Sequence, residues 1–148
     1  MSFRRKPRVS LKTPEQLGAM RRAGLLLDRI HDEIEKNLRS GMTTADIDQI
    51  SRTVIAEAGA KSNFLGYHGF PATVCVSVNE EIVHGIPSTR VIRDGDVVSV
   101  DAGCIVDGWH SDAARTHIVG TARSEADREL VDVTRGAMWE LSLIHISE

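Results

Sequence analysis

The stretch Val97–Val119, VVSVDAGCIVDGWHSDAARTHIV, decides the fold. Two runs rich in Val and Ile flank Asp107-Gly108. An Asp-Gly pair between alternating apolar runs signals a β-hairpin, because both central residues of a type I′ turn need φ > 0. A two-residue loop sets Val106 against Trp109. Counting outward then puts Gly103 opposite Asp112 and Asp101 opposite Ala114. Opposed residues share a face of the sheet, and so do alternate residues along a strand. Asp101 and Asp112 therefore leave one face as diagonal neighbours, with Cβ atoms about 7–8 Å apart or less. Gly103 between them has no side chain to fill the gap.

Two carboxylates aimed into one space repel each other unless a proton or a cation lies between them. Hard divalent cations with oxygen ligands suit such a pair. Spacing alone leaves open the plainer alternative of two solvated aspartates on an exposed face. His110 falls on the carboxylate face by the same register. The other face carries Val98, Val100, Ala102, Cys104 and Val106, an apolar row that belongs against a core.

Upstream, Asp94-Gly95-Asp96 turns the chain into the hairpin. Before it runs FLGYHGFPATVCVSVNEEIVHGIP, residues 64–87. Gly66, Gly69 and Pro71 break the backbone around Tyr67, His68 and Phe70, which reads as a shaped loop lined with aromatics. Thr73 to Val78 alternates as a strand with Val74, Val76 and Val78 on one face. Asn79-Glu80 suggests a turn. His84 follows Ile82-Val83 and precedes Gly85-Ile86-Pro87, which places it at a strand end where the chain must bend.

The first third is helical. Thr13-Pro14-Glu15-Gln16 combines a cap, a proline suited to the first turn and a capping box. Leu17, Met20, Gly24, Leu27, Ile34 and Leu38 follow at helical spacing as one apolar face, with His31 on the same stripe and Gly41 as the stop. Thr43 or Thr44 caps a second helix, whose expected buried face is Ile47, Ile50, Val54 and Ala58, with Gly59 ending it. After the hairpin, Ser124 caps a helix expected to run to Glu140, with Leu130, Val133, Ala137 and Trp139 or Glu140 along it.

Composition bounds the function classes. The 148 residues suit one domain, and a net charge of −3 argues against a general nucleic-acid binder, so DNA is not an expected partner. No apolar run approaches the ~20 residues that span a bilayer. The two cysteines, Cys75 and Cys104, fall inside expected strands as thiols rather than a disulfide framework. A reducing cytoplasm is the natural compartment. Residues 1–12 form a basic arm carrying Arg4, Arg5, Lys6 and Arg8, either solvated or touching an anionic partner such as ribosomal RNA.

Several motifs now coincide in order: FLGYHGFP, VSVNEEIVHGIP, the DGD turn, VSVDAG and DGWHSDAART. Together they resemble the N-terminal half of a type I methionine aminopeptidase, from about Thr13 to about Met138. The resemblance implies an α+β pita-bread fold, here incomplete, in which helices flank a curved antiparallel sheet. It implies two divalent metal ions, of cobalt, manganese, iron or zinc. Asp101 would bind one metal and Asp112 both. His84 would serve catalysis by hydrogen-bonding the substrate backbone near the scissile amide. Tyr67, Phe70 and Cys75 would wall the methionine pocket, with Phe64 at its rim and His68 accessory.

The implied reaction is two-metal hydrolysis that removes an N-terminal methionine when the second residue is small. The implied partners are the N-terminal peptides of nascent proteins and the ribosome, with the full-length enzyme a monomer. A non-catalytic pita-bread protein that binds ribosomes or peptides is the alternative. Family members continue with further histidine and glutamate ligands that this sequence lacks, so the chain by itself is expected to be a truncated, inactive fragment with an open sheet edge. The aminopeptidase half is expected over residues 13–140. Residues 141–148, LSLIHISE, leave the family pattern and are similar to translated sequencing adapter, which makes them an expected aberrant tail, with a natural short tail as the alternative.

Overall fold

The computed structural model describes residues 10–146, with side chains as far as Ser142. Most of the basic arm and the last two residues of the tail lie outside the described residues. The first helix, α1 (Pro14–Asn37), starts where its capping box places it: the Thr13 hydroxyl accepts from the Gln16 amide and the Gln16 side chain accepts from the Thr13 amide. Its buried stripe is Ala19, Ala23, Leu27, Ile30, His31 and Ile34. This corrects the expected face at its beginning, because Leu17 and Met20 are exposed. Small residues win there because the helix lies low on the sheet, with the Cys104 thiol 3.4 Å from the Ala23 carbonyl oxygen. The stop also differs: α1 ends at Leu38 in extended conformation, and Gly41 turns the chain three residues later.

Helix α2 (Thr44–Glu57) takes Thr43 as its cap, with Asp46 returning the bond to the Thr43 amide. Ile47, Val54 and Ile55 are buried, whereas Ala58 is exposed at the C-cap, so Ile55 takes the place expected of Ala58.

Four strands follow: β1 (Lys61–Ser62), β2 (Val74–Val78), β3 (Val97–Val106) and β4 (Trp109–Ile118). All pairings are antiparallel and all run through β3, which has β4 on one side and β1 and β2 end to end on the other. One face of the sheet carries Val74, Val76, Val78, Val98, Val100, Ala102 and Cys104. It packs on Leu27, Ile30 and Ile34 of α1 and on Ile47, Val54 and Ile55 of α2, which is the core. The expected α+β architecture of an antiparallel sheet flanked by helices is present.

The hairpin register is the one read from the sequence, with Val106 against Trp109, Gly103 against Asp112 and Asp101 against Ala114. It is pinned at both ends. Asp107 and Gly108 take φ of 51° and 79° at the turn. At the base, Gly95 N donates to the Val119 carbonyl and Val119 N to the Asp96 carbonyl. The buried Asp96 carboxylate accepts from Asn79 Nδ2 and the Arg93 amide, pairs with Arg123, and so ties three segments together.

From the helix side, His31 Nε2 donates to the Ala113 carbonyl at 2.9 Å, and Arg115 reaches across to Asp28 and Asp32 of α1. Helix α3 (Glu125–Ile146) is capped by the Ser124 hydroxyl and continues past Glu140 without a break, so its expected end lies six residues early. Leu130, Val133 and Trp139 are exposed on it among the described residues. No helix among the described residues is long and apolar enough to cross a membrane.

Candidate metal centre

The face of the sheet turned away from the helices carries the chemistry. Asp101 sits at the middle of β3 with Cys75 directly across on β2 and Ala114 across on β4. Asp112 leaves β4 two residues along, opposite Gly103. Burial pushes the Asp101 carboxyl above its ordinary range, the Asp112 carboxylate beside it adds to the rise, and His84 opposes it. Burial likewise pushes the Cys75 thiol up to about 11, helped by both carboxylates. Two neighbouring acids, one of them raised by the other, form a cation-seeking pair.

These groups open on a cavity of about 750 Å³ lined by Asp101, Asp112, Cys75, His84, Phe64, Tyr67 and Phe70. Seven of the eight residues singled out in the sequence therefore meet in one place. His68 does not line it. The ring of His68 stands edge-on to Tyr67, 4.4 Å between centroids, in a 3-10 turn (Tyr67–Gly69) where its own φ is 46°. Phe64 and Phe70 meet edge to face at 6.3 Å and form the apolar wall.

His84 arrives differently from the expectation. It is in no strand; it lies in an irregular loop with φ of 58°, exposed, after Ile82 and Val83, which are exposed as well. Its neighbour Gly85 makes the approach: Gly85 O accepts from Val76 N at 2.9 Å, and Gly85 N donates to the Ser77 hydroxyl. The loop thus bonds to the outer edge of β2. A Cβ on Gly85 would stand 2.1 Å from the Val76 carbonyl oxygen, so only glycine allows this contact.

Asn63 and Ile86 also line the cavity, together with His110 on the face its register gave it. Asn63 carried no sequence signal, since it follows a two-residue strand too short for periodicity, and Ile86 stood in the HGIP motif with no role assigned to it. The gap left by Gly103 is occupied: Asn63 folds over it, and a Cβ there would meet Asn63 Nδ2 at 2.5 Å.

As a metal site the donor set is partial. Asp101 and Asp112 fit a divalent cation, but among the described residues no group of three or more His, Cys, Asp or Glu could hold one together.

An antiparallel sheet backed by two helices, with paired aspartates on its open face beside an apolar pocket, defines a metallohydrolase-like half-site. The chain belongs to metallopeptidase family M24, whose family model matches residues 18–143. It is similar to methionine aminopeptidase 1 of Bacillus subtilis, 44% identical over 132 residues, which covers 89% of this chain and 53% of the relative. It is also 44% identical over 131 residues to methionine aminopeptidase 1 of Mycobacterium tuberculosis, covering 88% of this chain and 49% of that one. The chain thus spans about half the length of the curated relatives it matches.

Among solved structures, the methionine aminopeptidase of Thermotoga maritima superposes with a TM-score of 0.85 at 37% identity, over 90% of this chain and 53% of that one. The enzyme from Rickettsia prowazekii gives 0.85 at 31%, over 89% and 53%. A prolidase from Pyrococcus furiosus, at 21% identity and a TM-score of 0.71 over 85% of this chain and 36% of that one, shares the fold alone. The expected pita-bread architecture, as part of the whole, is thereby established.

Proposed function

We propose that this sequence is the metal- and methionine-binding part of a methionine aminopeptidase, which removes the N-terminal methionine of nascent proteins when the second residue is small. The observation that carries the reading is the meeting of Asp101 and Asp112 with His84 and the Phe64, Tyr67, Phe70 and Cys75 wall in one cavity. Divalent metals, two in number and of cobalt, manganese, iron or zinc, supply Lewis-acid activation of water and of the scissile carbonyl when bound. Asp101 would hold one and Asp112 both. The chain's own residues do the rest: the apolar wall takes the unbranched methionine side chain, and His84 hydrogen-bonds the peptide beside the scissile amide. The small-second-residue rule would come from crowding beside the His84 loop, where His84 and Ile86 line the cavity. With no group of three or more His, Cys, Asp or Glu arranged to hold a metal among the described residues, the chain by itself binds metal weakly and does not turn over.

A chimera tests this. Residues 13–140 replace the matching segment of the Bacillus subtilis enzyme, and methionine release from Met-Ala-Ser is followed with added Mn²⁺. Turnover of Met-Ala-Ser but not of Ala-Ala-Ser or an Xaa-Pro peptide, abolished by Asp101→Asn, is the expected result. A folded chimera that hydrolyses none of them would leave the non-catalytic, peptide- or ribosome-binding reading in its place.

A further inference from the structure

Three hydrogen bonds at the hairpin end of the cavity fix the state of a histidine that the proposed reaction does not use. Asn63 N donates to the Gly103 carbonyl at 3.0 Å, and Asn63 Nδ2 donates to the Ser111 carbonyl at 3.1 Å. A carbonyl only accepts, so the amide orientation of Asn63 is determined, and its Oδ1 faces His110 Nδ1 at 3.1 Å. An amide oxygen also only accepts. Nδ1 of His110 therefore carries a proton, and of the two neutral tautomers this is the one that leaves Nε2 as the acceptor. The ring is exposed and lines the cavity that holds Asp101 and Asp112. All of this depends on Gly103, because a Cβ there would lie within 3.0 Å of three Asn63 side-chain atoms.

We infer that His110 is a substrate-binding residue whose Nε2 accepts a hydrogen bond from an N–H of the bound peptide, and that Asn63 is the positioning residue that holds it in the accepting tautomer. The other polar side chains of this cavity explain why an acceptor is useful there. Both carboxylates are committed to cations in the proposed reaction and the Asn63 amide oxygen is engaged by the ring, so at the hairpin end of the cavity His110 Nε2 supplies an acceptor for a peptide N–H. A neutral imidazole supplies one without adding a third negative charge. The inference rests on the proposed peptide-binding role of the cavity.

The test has two arms on the whole 148-residue chain. Nitrogen-15 NMR of the imidazoles reads the tautomer directly: His110 is expected as Nδ1–H in the wild type. Asn63→Ala should release it toward the Nε2–H form that free histidine side chains favour, and Asn63→Asp, which keeps the acceptor, should hold it. Calorimetry with Met-Ala-Ser and Zn²⁺ reads the binding. His110→Ala is expected to weaken it about fivefold, the weight of one neutral hydrogen bond, with the thermal melt unchanged.

An Nε2–H tautomer in the wild type overturns the inference. So does unchanged peptide affinity in His110→Ala, and in both cases the aminopeptidase reading stands. A wild-type chain that binds Met-Ala-Ser no better than Ala-Ala-Ser counts against that reading, whereas one that binds neither peptide overturns both.

Discussion

Cys75 and Asp101 face each other across β2 and β3, and the thiol is pushed up to about 11 by burial and then by Asp101 and Asp112. The thiolate is the reactive form, so Cys75 is inert at neutral pH in metal-free protein. Asp101→Asn or Asp112→Asn removes one of the charges that hold the proton on. Alkylation of Cys75 by iodoacetamide at pH 8.5 in EDTA is expected to run severalfold faster in either variant. Equal rates in wild type and variants would show that burial alone silences the thiol.

The same carboxylate pair sets the response to metal. Asp101 is raised by burial and by Asp112, so ionising both costs folding free energy at neutral pH. Asp112→Asn should therefore melt higher than wild type in EDTA. Added Mn²⁺ should raise the melting temperature of the wild type and leave the variant unmoved, because binding to the native state alone stabilises by mass action. A scanning-fluorimetry titration of both proteins checks each half.

His31 makes the α1–β4 contact sensitive to acid. Burial lowers its affinity for protons, the Ala113 carbonyl opposes that, and Arg115 and His117 lower it further against Asp28. Nδ1 of His31 is buried with no hydrogen-bond partner among the described residues. The unfolded chain takes up a proton near the ordinary histidine value of 6.5, and the folded chain only at lower pH. Stability is thus fully present above about 6.5 and falls as pH drops below it. His117, lowered by burial as well, adds to the same slope. Urea unfolding at pH 7.5 and 5.5 should show a larger loss in the wild type than in His31→Gln.

Two glycine-to-alanine changes should act in opposite directions. Gly85→Ala drives a Cβ into the Val76 carbonyl and should cost about 1–3 kcal/mol, the range for overpacking, while displacing His84. Gly18 lies inside α1 with nothing within 4 Å of its would-be Cβ, so Gly18→Ala should stabilise by about 0.5–1 kcal/mol. Guanidinium melts of both read the sign.

The hairpin was legible because an Asp-Gly turn fixes register by itself, and register places every side chain on β3 and β4. The register put Asp101 and Asp112 on one face, but Tyr67, Phe70 and Cys75 were joined to them only through the resemblance to the aminopeptidase family. The residues that escaped were those placed by contact rather than by pattern. Asn63 is held by hydrogen bonds to Gly103 and Ser111 that no periodicity announces. Ile82-Val83 reads as strand, yet the edge of β2 is taken instead by Gly85, which leaves those two side chains in solvent. On α1, Leu17 and Met20 fit the helical period, but close approach to the sheet selected the alanines one turn face over.

The double pinning of the β3–β4 register, by Asp107-Gly108 at one end and the Asp96 knot at the other, has a consequence for how the cavity can fail. A strand cannot slide by a fraction of a residue, and a slip of one would turn Asp112 toward the helices and bring Ser111 or Ala113 into the cavity. The carboxylate pair therefore does not drift apart by degrees. It is a discrete property of the pairing, either whole or gone, and damage at Asp96, at the other end of the hairpin from its turn, would act on it as a broken key rather than as a worn one.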